Sequence, residues 1–277
     1  MITPLLLAFG ILLQSQQPET MSLLETDLYA PSFPREVRAK LEADLADARA
    51  AYQKDPKKAD AAIAYVRAQV AIGRVGDALE SIAPAIEANP DDKRLLLERA
   101  KALIIYRKFD SAERDARKVA DALPEANCTL GLALYLKMQF AESRAAFDKC
   151  PAPDLFKYLA DRRAGGTAVA RPDVSVLDET APAPDIKMPG SVSTHPDKPK
   201  TTMTAAYVQA AETIAAEKKG PARGKKDPAE DALRQIVEKQ GNRWMEPIYT
   251  AAEADYARIL KAEGKFKRPA GRKKRKG

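Results

Sequence analysis

The sequence predicts an all-α protein built as a solenoid of antiparallel helix pairs. Three observations carry this. Only 6% of residues are aromatic against 45% apolar, and alanine is abundant. That composition favours helices packed through small side chains over sheets of β-branched residues. Pro56, Pro90 and Pro124 recur 34 residues apart. Between them apolar residues fall at helical spacing: Ile63, Val66 and Val70, then Leu95, Leu96, Ala100 and Leu103.

Residues 1–17 read as a signal peptide. Leu5 to Leu13 form a short apolar core ahead of a polar segment, too short to span a bilayer. A cut after Ser15 or Gln17 is possible; the latter would leave 18–33 as an extended N-terminal segment. The expected location is therefore periplasmic or extracellular. The alternative is a cytoplasmic chain starting at Met21, whose basic tail binds polyanions or nucleic acid. No other segment is apolar enough to cross a membrane.

Residues 34–164 carry the repeat. A helix leads into Pro56. The first unit has Gly73 at its turn, then Ala78, Ile82, Ala85 and Pro90. The second places Ala112, Ala116, Val119 and Pro124 at the same offsets. The third has Leu130, Gly131, Leu134, Ser143 and Phe147, and is about three residues short. Pro84 lies inside a second helix, where it removes one backbone donor and should kink it. Leu155, Phe156 and Leu159 form a closing helix ended by Gly165.

A 34-residue period with proline between units resembles the tetratricopeptide repeat (TPR), a pair of antiparallel helices per unit. The resemblance covers residues 56–151. It implies that Gly131 and Ser143, like Ala100 and Ala112, let paired helices approach while Phe147 fills the space between units. It also implies a concave groove lined by first helices that takes a peptide or protein segment. Here the groove-facing positions are Ile63, Arg67, Val70, Leu97, Lys101, Ile104, Leu132 and Tyr135. Arg67 and Lys101 would meet a carboxylate of that segment. The asparagine of the family's two-carboxylate clamp is missing, so that specificity does not carry over.

The hairpin register bears on the two cysteines. Cys128 and Cys150 each lie eleven residues from a hinge near Gln139, roughly 16 Å along each helix. They share stripes with Gly131 and with Phe147 and Ser143, the faces that meet. A disulfide closing the third repeat is expected, worth about 3 kcal/mol. It would also fit an oxidising compartment. The alternative is two small buried thiols.

Residues 165–200 form a proline-rich linker. Helical patterning returns over 201–264, in the segments 201–219, 227–241 and 246–264, which are degenerate repeats or a separate appendage. Asp227, Pro228 and Glu230 make a helix-start pattern. Gly264-Lys265-Phe266 echoes Arg107-Lys108-Phe109 at a repeat hinge. Trp244 reads as an anchor between helices.

The net charge of +7 belongs to the end of the chain. Residues 265–277, a basic disordered tail, hold eight cations, including Arg272, Lys273, Lys274, Arg275 and Lys276. Outside the cytoplasm such a tail meets anionic lipid headgroups or acidic glycans, not nucleic acid. Phe266 is its only aromatic, too few for base stacking.

No catalytic constellation is visible. The single histidine, His195, sits in the linker, and phosphate-loop, CxxC and haem-attachment motifs are missing. Asp91 and Asp92 sit at a turn opening a helix, where carboxylates act as caps. The expectation is a non-catalytic module with no cofactor and no metal.

Overall fold

The computed structural model describes residues 17–151, 155–174, 203–216 and 229–267. The export segment up to residue 16, most of the linker with His195, Asp227 and Pro228, and the tail from 268 lie outside the described residues. The described chain holds eleven α-helices and one two-stranded hairpin. No helix among the described residues is long and apolar enough to cross a membrane.

Helix α1 (Arg35–Lys54) packs on α2 (Ala59–Ala71) through a single stripe of half-buried residues, among them Leu41, Leu45 and Tyr52. Three hairpins follow: α2 with α3 (Val75–Ala88), α4 (Lys93–Ile105) with α5 (Phe109–Val119), and α6 (Ala126–Leu136) with α7 (Phe140–Asp148). Helix α3 runs through Pro84 without a break. Helix α4 starts on Asp92, whose carboxylate accepts the Arg94 N–H at 3.1 Å. That capping is the role expected of Asp92.

The three hinges share one backbone device. Gly73, Arg107 and Met138 are all left-handed, with φ of 89°, 64° and 64°. The next residue's N–H then donates to the carbonyl five residues back: Arg74 to Gln69, Lys108 to Leu103 and Gln139 to Leu134. This closure satisfies the last carbonyls of the first helix. Only Gly73 adopts it without steric cost; Arg107 and Met138 each carry a penalty of about 1 kcal/mol. Gly264, with φ 67° and the Lys265 N–H on Leu260, ends the last helix in the same way.

Close approach within the third hairpin depends on Gly131. A Cβ there would sit 2.9 Å from the Phe147 ring. The buried Ser143 hydroxyl donates to the Gly131 carbonyl at 2.7 Å. Cys128 and Cys150 form a disulfide, with Cα atoms 4.9 Å apart, tying the start of α6 to the end of α7.

First helices stack into an inner layer, α2 on α4, α4 on α6 and α6 on α8 (Leu155–Arg163). Beyond α8 the chain turns back. Helix α9 (Met203–Ala216) packs on α8, α10 (Glu230–Lys239) packs on α9, and α11 (Pro247–Ala262) returns to α9 and α6. Glu230 accepts from Lys265 Nζ at 3.3 Å; the helix-start pattern it would form with Asp227 and Pro228 lies outside the described residues. The N-terminal segment is a hairpin, β1 (Thr20–Met21) with β2 (Asp27–Leu28), pairing Thr20 with Leu28 and Met21 with Asp27. It runs over the hinge edge, where Pro31 Cδ would lie 2.4 Å from a Cβ placed on Gly73.

Candidate functional site: the inner face

The inner face divides into an open cleft and a filled junction. Between α2 and α4 lies a cavity of about 300 Å³ lined by Asp60, Ile63, Ala64, Arg67, Arg94, Leu97, Glu98, Lys101 and Glu125. Its floor is apolar, from Ile63, Ala64 and Leu97. Four expected groove residues, Ile63, Arg67, Leu97 and Lys101, come together here. Helical spacing explains the set. Asp60, Ile63, Ala64 and Arg67 share one face of α2; Arg94, Leu97, Glu98 and Lys101 share the facing side of α4.

The charges differ from expectation. Arg67 and Lys101 do not stand unpaired on the groove. Both donate to Glu98 Oε1, at 2.7 and 2.9 Å. Glu98 is 8% exposed, whereas Arg67 and Lys101 are 63% and 46% exposed. Burial raises the Glu98 pKa, but the hydrogen bonds from Arg67 and Lys101 outweigh it and hold the carboxyl below its ordinary value. Arg94 bridges Asp60 at 2.9 Å and Asp92 at 2.6 Å. The cleft is thus a neutralised, apolar-floored slot with cations on its rim.

The other four expected groove residues do not line the cleft. Ile104 and Tyr135 are buried, and Val70 and Leu132 pack half-buried against the same core. The reason is that α8, α9 and α11 contribute to that core, filling the face beside α6 with the protein's own side chains. The Tyr135 hydroxyl lies 2.9 Å from the Tyr207 hydroxyl, which donates to Asp255 at 3.0 Å. Desolvation drives the pKa of both tyrosines upward, with Asp255 adding to it, so both stay neutral donors.

Two buried ion pairs lock this junction. Arg163 of α8 makes a two-pronged contact with Asp255 of α11, at 2.8 and 3.1 Å. Its guanidinium also lies 4.4 Å from the Phe140 ring centroid. At the second hinge, Arg107 pairs with Glu253 at 2.8 Å, with side chains 4% and 0% exposed. Arg107 also donates to the carbonyls of Ile105 and Trp244. The other Glu253 oxygen accepts the Leu23 N–H at 2.6 Å. One carboxylate therefore joins a repeat hinge, α11 and the N-terminal hairpin. Trp244 is a buried anchor, as expected, and its indole N–H donates to the Tyr29 carbonyl at 2.7 Å.

Sequence reasoning missed Glu98, Arg107, Glu253, Arg163 and Asp255. Glu98 had a faint signal, three residues before Lys101 on one helix face. The others pair across long separations and left none.

Compared with models of protein families, with characterised proteins and with solved structures, the chain matches none.

Proposed function

We propose that the protein is an exported TPR-like binding or scaffolding module, non-catalytic, that holds a peptide or protein segment in the α2–α4 cleft. The observation that carries this reading is the cleft itself. It is an open, apolar-floored slot on the inner layer of a helical repeat, while the rest of that layer is packed. Three hairpins with equivalent left-handed hinges support the repeat kinship. The Cys128–Cys150 bond supports an oxidising compartment and so the export reading over a cytoplasmic start at Met21. The basic tail adds a separate attachment to an anionic lipid or glycan surface.

Because the cleft's three cations, Arg67, Arg94 and Lys101, are balanced by Asp60, Glu98 and Glu125, the bound segment is anchored by apolar side chains on Ile63 and Leu97. Its polar groups add hydrogen bonds at the rim.

A photo-crosslinking residue at Ala64, which is exposed on the cleft floor, tests the reading in the full chain in its native host. One defined adduct is expected. It should be lost in Leu97→Glu, kept when residues 265–277 are removed, and missing with the probe at Arg38 on α1. Adducts of equal yield at Arg38, or loss only with the tail, would move the binding function away from the cleft.

A further inference from the structure

A second cavity, of about 280 Å³, opens between α11, the third hinge and the N-terminal hairpin. Leu23, Phe109, Leu136 and Ala254 contribute to its apolar walls, and Met138, Arg258, Lys261 and the Asp255 carboxylate also line it. It lies on the hinge edge of the molecule, away from the α2–α4 cleft.

The hinge positions explain why this place is open. At the first hinge Pro31 covers Gly73. At the second, Arg107 is buried on Glu253. At the third, Met138 holds a left-handed conformation yet stays 49% exposed, one of two exposed large apolar residues among those described. A strained, exposed methionine beside an apolar hollow is a residue without the cover its two counterparts have.

Charge decides what suits the hollow. Asp255 is shared by Arg163 and Arg258, two cations on one carboxylate. Arg258 also donates to the Met138 sulfur at 2.8 Å. Lys261, one turn on, has no carboxylate partner among the described residues; its ammonium lies 5.1 Å from the Phe266 ring centroid. The rim therefore keeps an excess of positive charge over apolar walls. Residues 251–258 lie within α11, where backbone groups are spent on helical hydrogen bonds, so the wall offers no amide to pair with a peptide backbone.

We propose that this cavity binds a small amphiphilic carboxylate, an aliphatic chain in the hollow with its carboxylate between Arg258 and Lys261. Its volume of about 280 Å³ falls just under the range of ordinary small-molecule sites, roughly 300 to 1,000 Å³, which suits a ligand as small as a medium-chain fatty acid.

Titration calorimetry of the full chain with octanoate, below its micellar concentration, tests this. Octylamine and N-acetyl-leucine serve as comparison ligands. Saturable one-to-one binding of octanoate is expected, with neither comparison ligand matching it. Lys261→Glu, at an exposed position, should weaken octanoate roughly tenfold. Ala254→Phe should abolish binding while leaving the thermal midpoint unchanged. A lack of saturable octanoate binding, equal binding of octylamine, or preference for N-acetyl-leucine would overturn the proposal. So would octanoate affinity unchanged in a folded Ala254→Phe variant.

Discussion

The α2–α4 cleft and the α6–α11 junction are built from the same inner layer and the same kind of ion pair, yet they do different things. In the cleft, exposed Arg67 and Lys101 hold a buried Glu98 from the solvent side. In the junction, Arg107–Glu253 and Arg163–Asp255 bury both partners. An exposed cation on a carboxylate contributes little to stability and leaves the surface accessible. A fully buried pair fixes one arrangement, and losing one member leaves an uncompensated charge. The difference teaches where the inner layer of helices stays open and where the protein's own C-terminal helices cover it.

The largest effect that would break this contrast is in the junction. Asp255→Ala strips Arg163 of its carboxylate and Tyr207 of its acceptor. Destabilisation of about 3 to 5 kcal/mol is expected in denaturant unfolding; a loss below about 1 kcal/mol would place the pair with the surface bridges of the cleft. Next comes the disulfide. Cys128→Ser with Cys150→Ser should cost about 3 kcal/mol. Thiol titration of the unreduced, denatured protein should find no free thiol.

Tyr207→Phe keeps the ring and removes one buried hydroxyl. A cost of about 1 to 2 kcal/mol is expected, because Tyr135 and Asp255 then compete for fewer partners. The smallest effect belongs to the cleft. The Glu98 pKa is lowered in the fold from its ordinary 4.5. Its contribution is thus present above pH 4.5 and is lost as pH falls below that value. Wild type should lose stability over that window by more than Glu98→Gln does, while the two stay within about 1 kcal/mol at pH 7.

The local parts of this architecture were legible in the sequence. The 34-residue proline spacing marked the hairpins, and counting from the hinge placed Cys128 opposite Cys150. Ile63, Arg67, Leu97 and Lys101 emerged from helical periodicity, which is a short-range signal. Tyr135 was misplaced because its neighbours Tyr207 and Asp255 arrive from beyond the linker, and periodicity along α6 carries no information about them. Arg107 was read only as a hinge residue. Nothing local ties it to Glu253, 146 positions on, or Trp244 to the carbonyl of Tyr29. The echo between Arg107-Lys108-Phe109 and Gly264-Lys265-Phe266 does reflect a shared backbone turn, since left-handed closure of a helix is a local property.

Hydrogen exchange of Glu253→Gln against wild type tests the division of the inner face most directly. Glu253 joins Arg107, α11 and the hairpin, so the account predicts that residues 17–32 and α11 lose protection together while α2 and α4 keep theirs. Uniform loss across the chain, or loss in α11 with the hairpin unchanged, would contradict it.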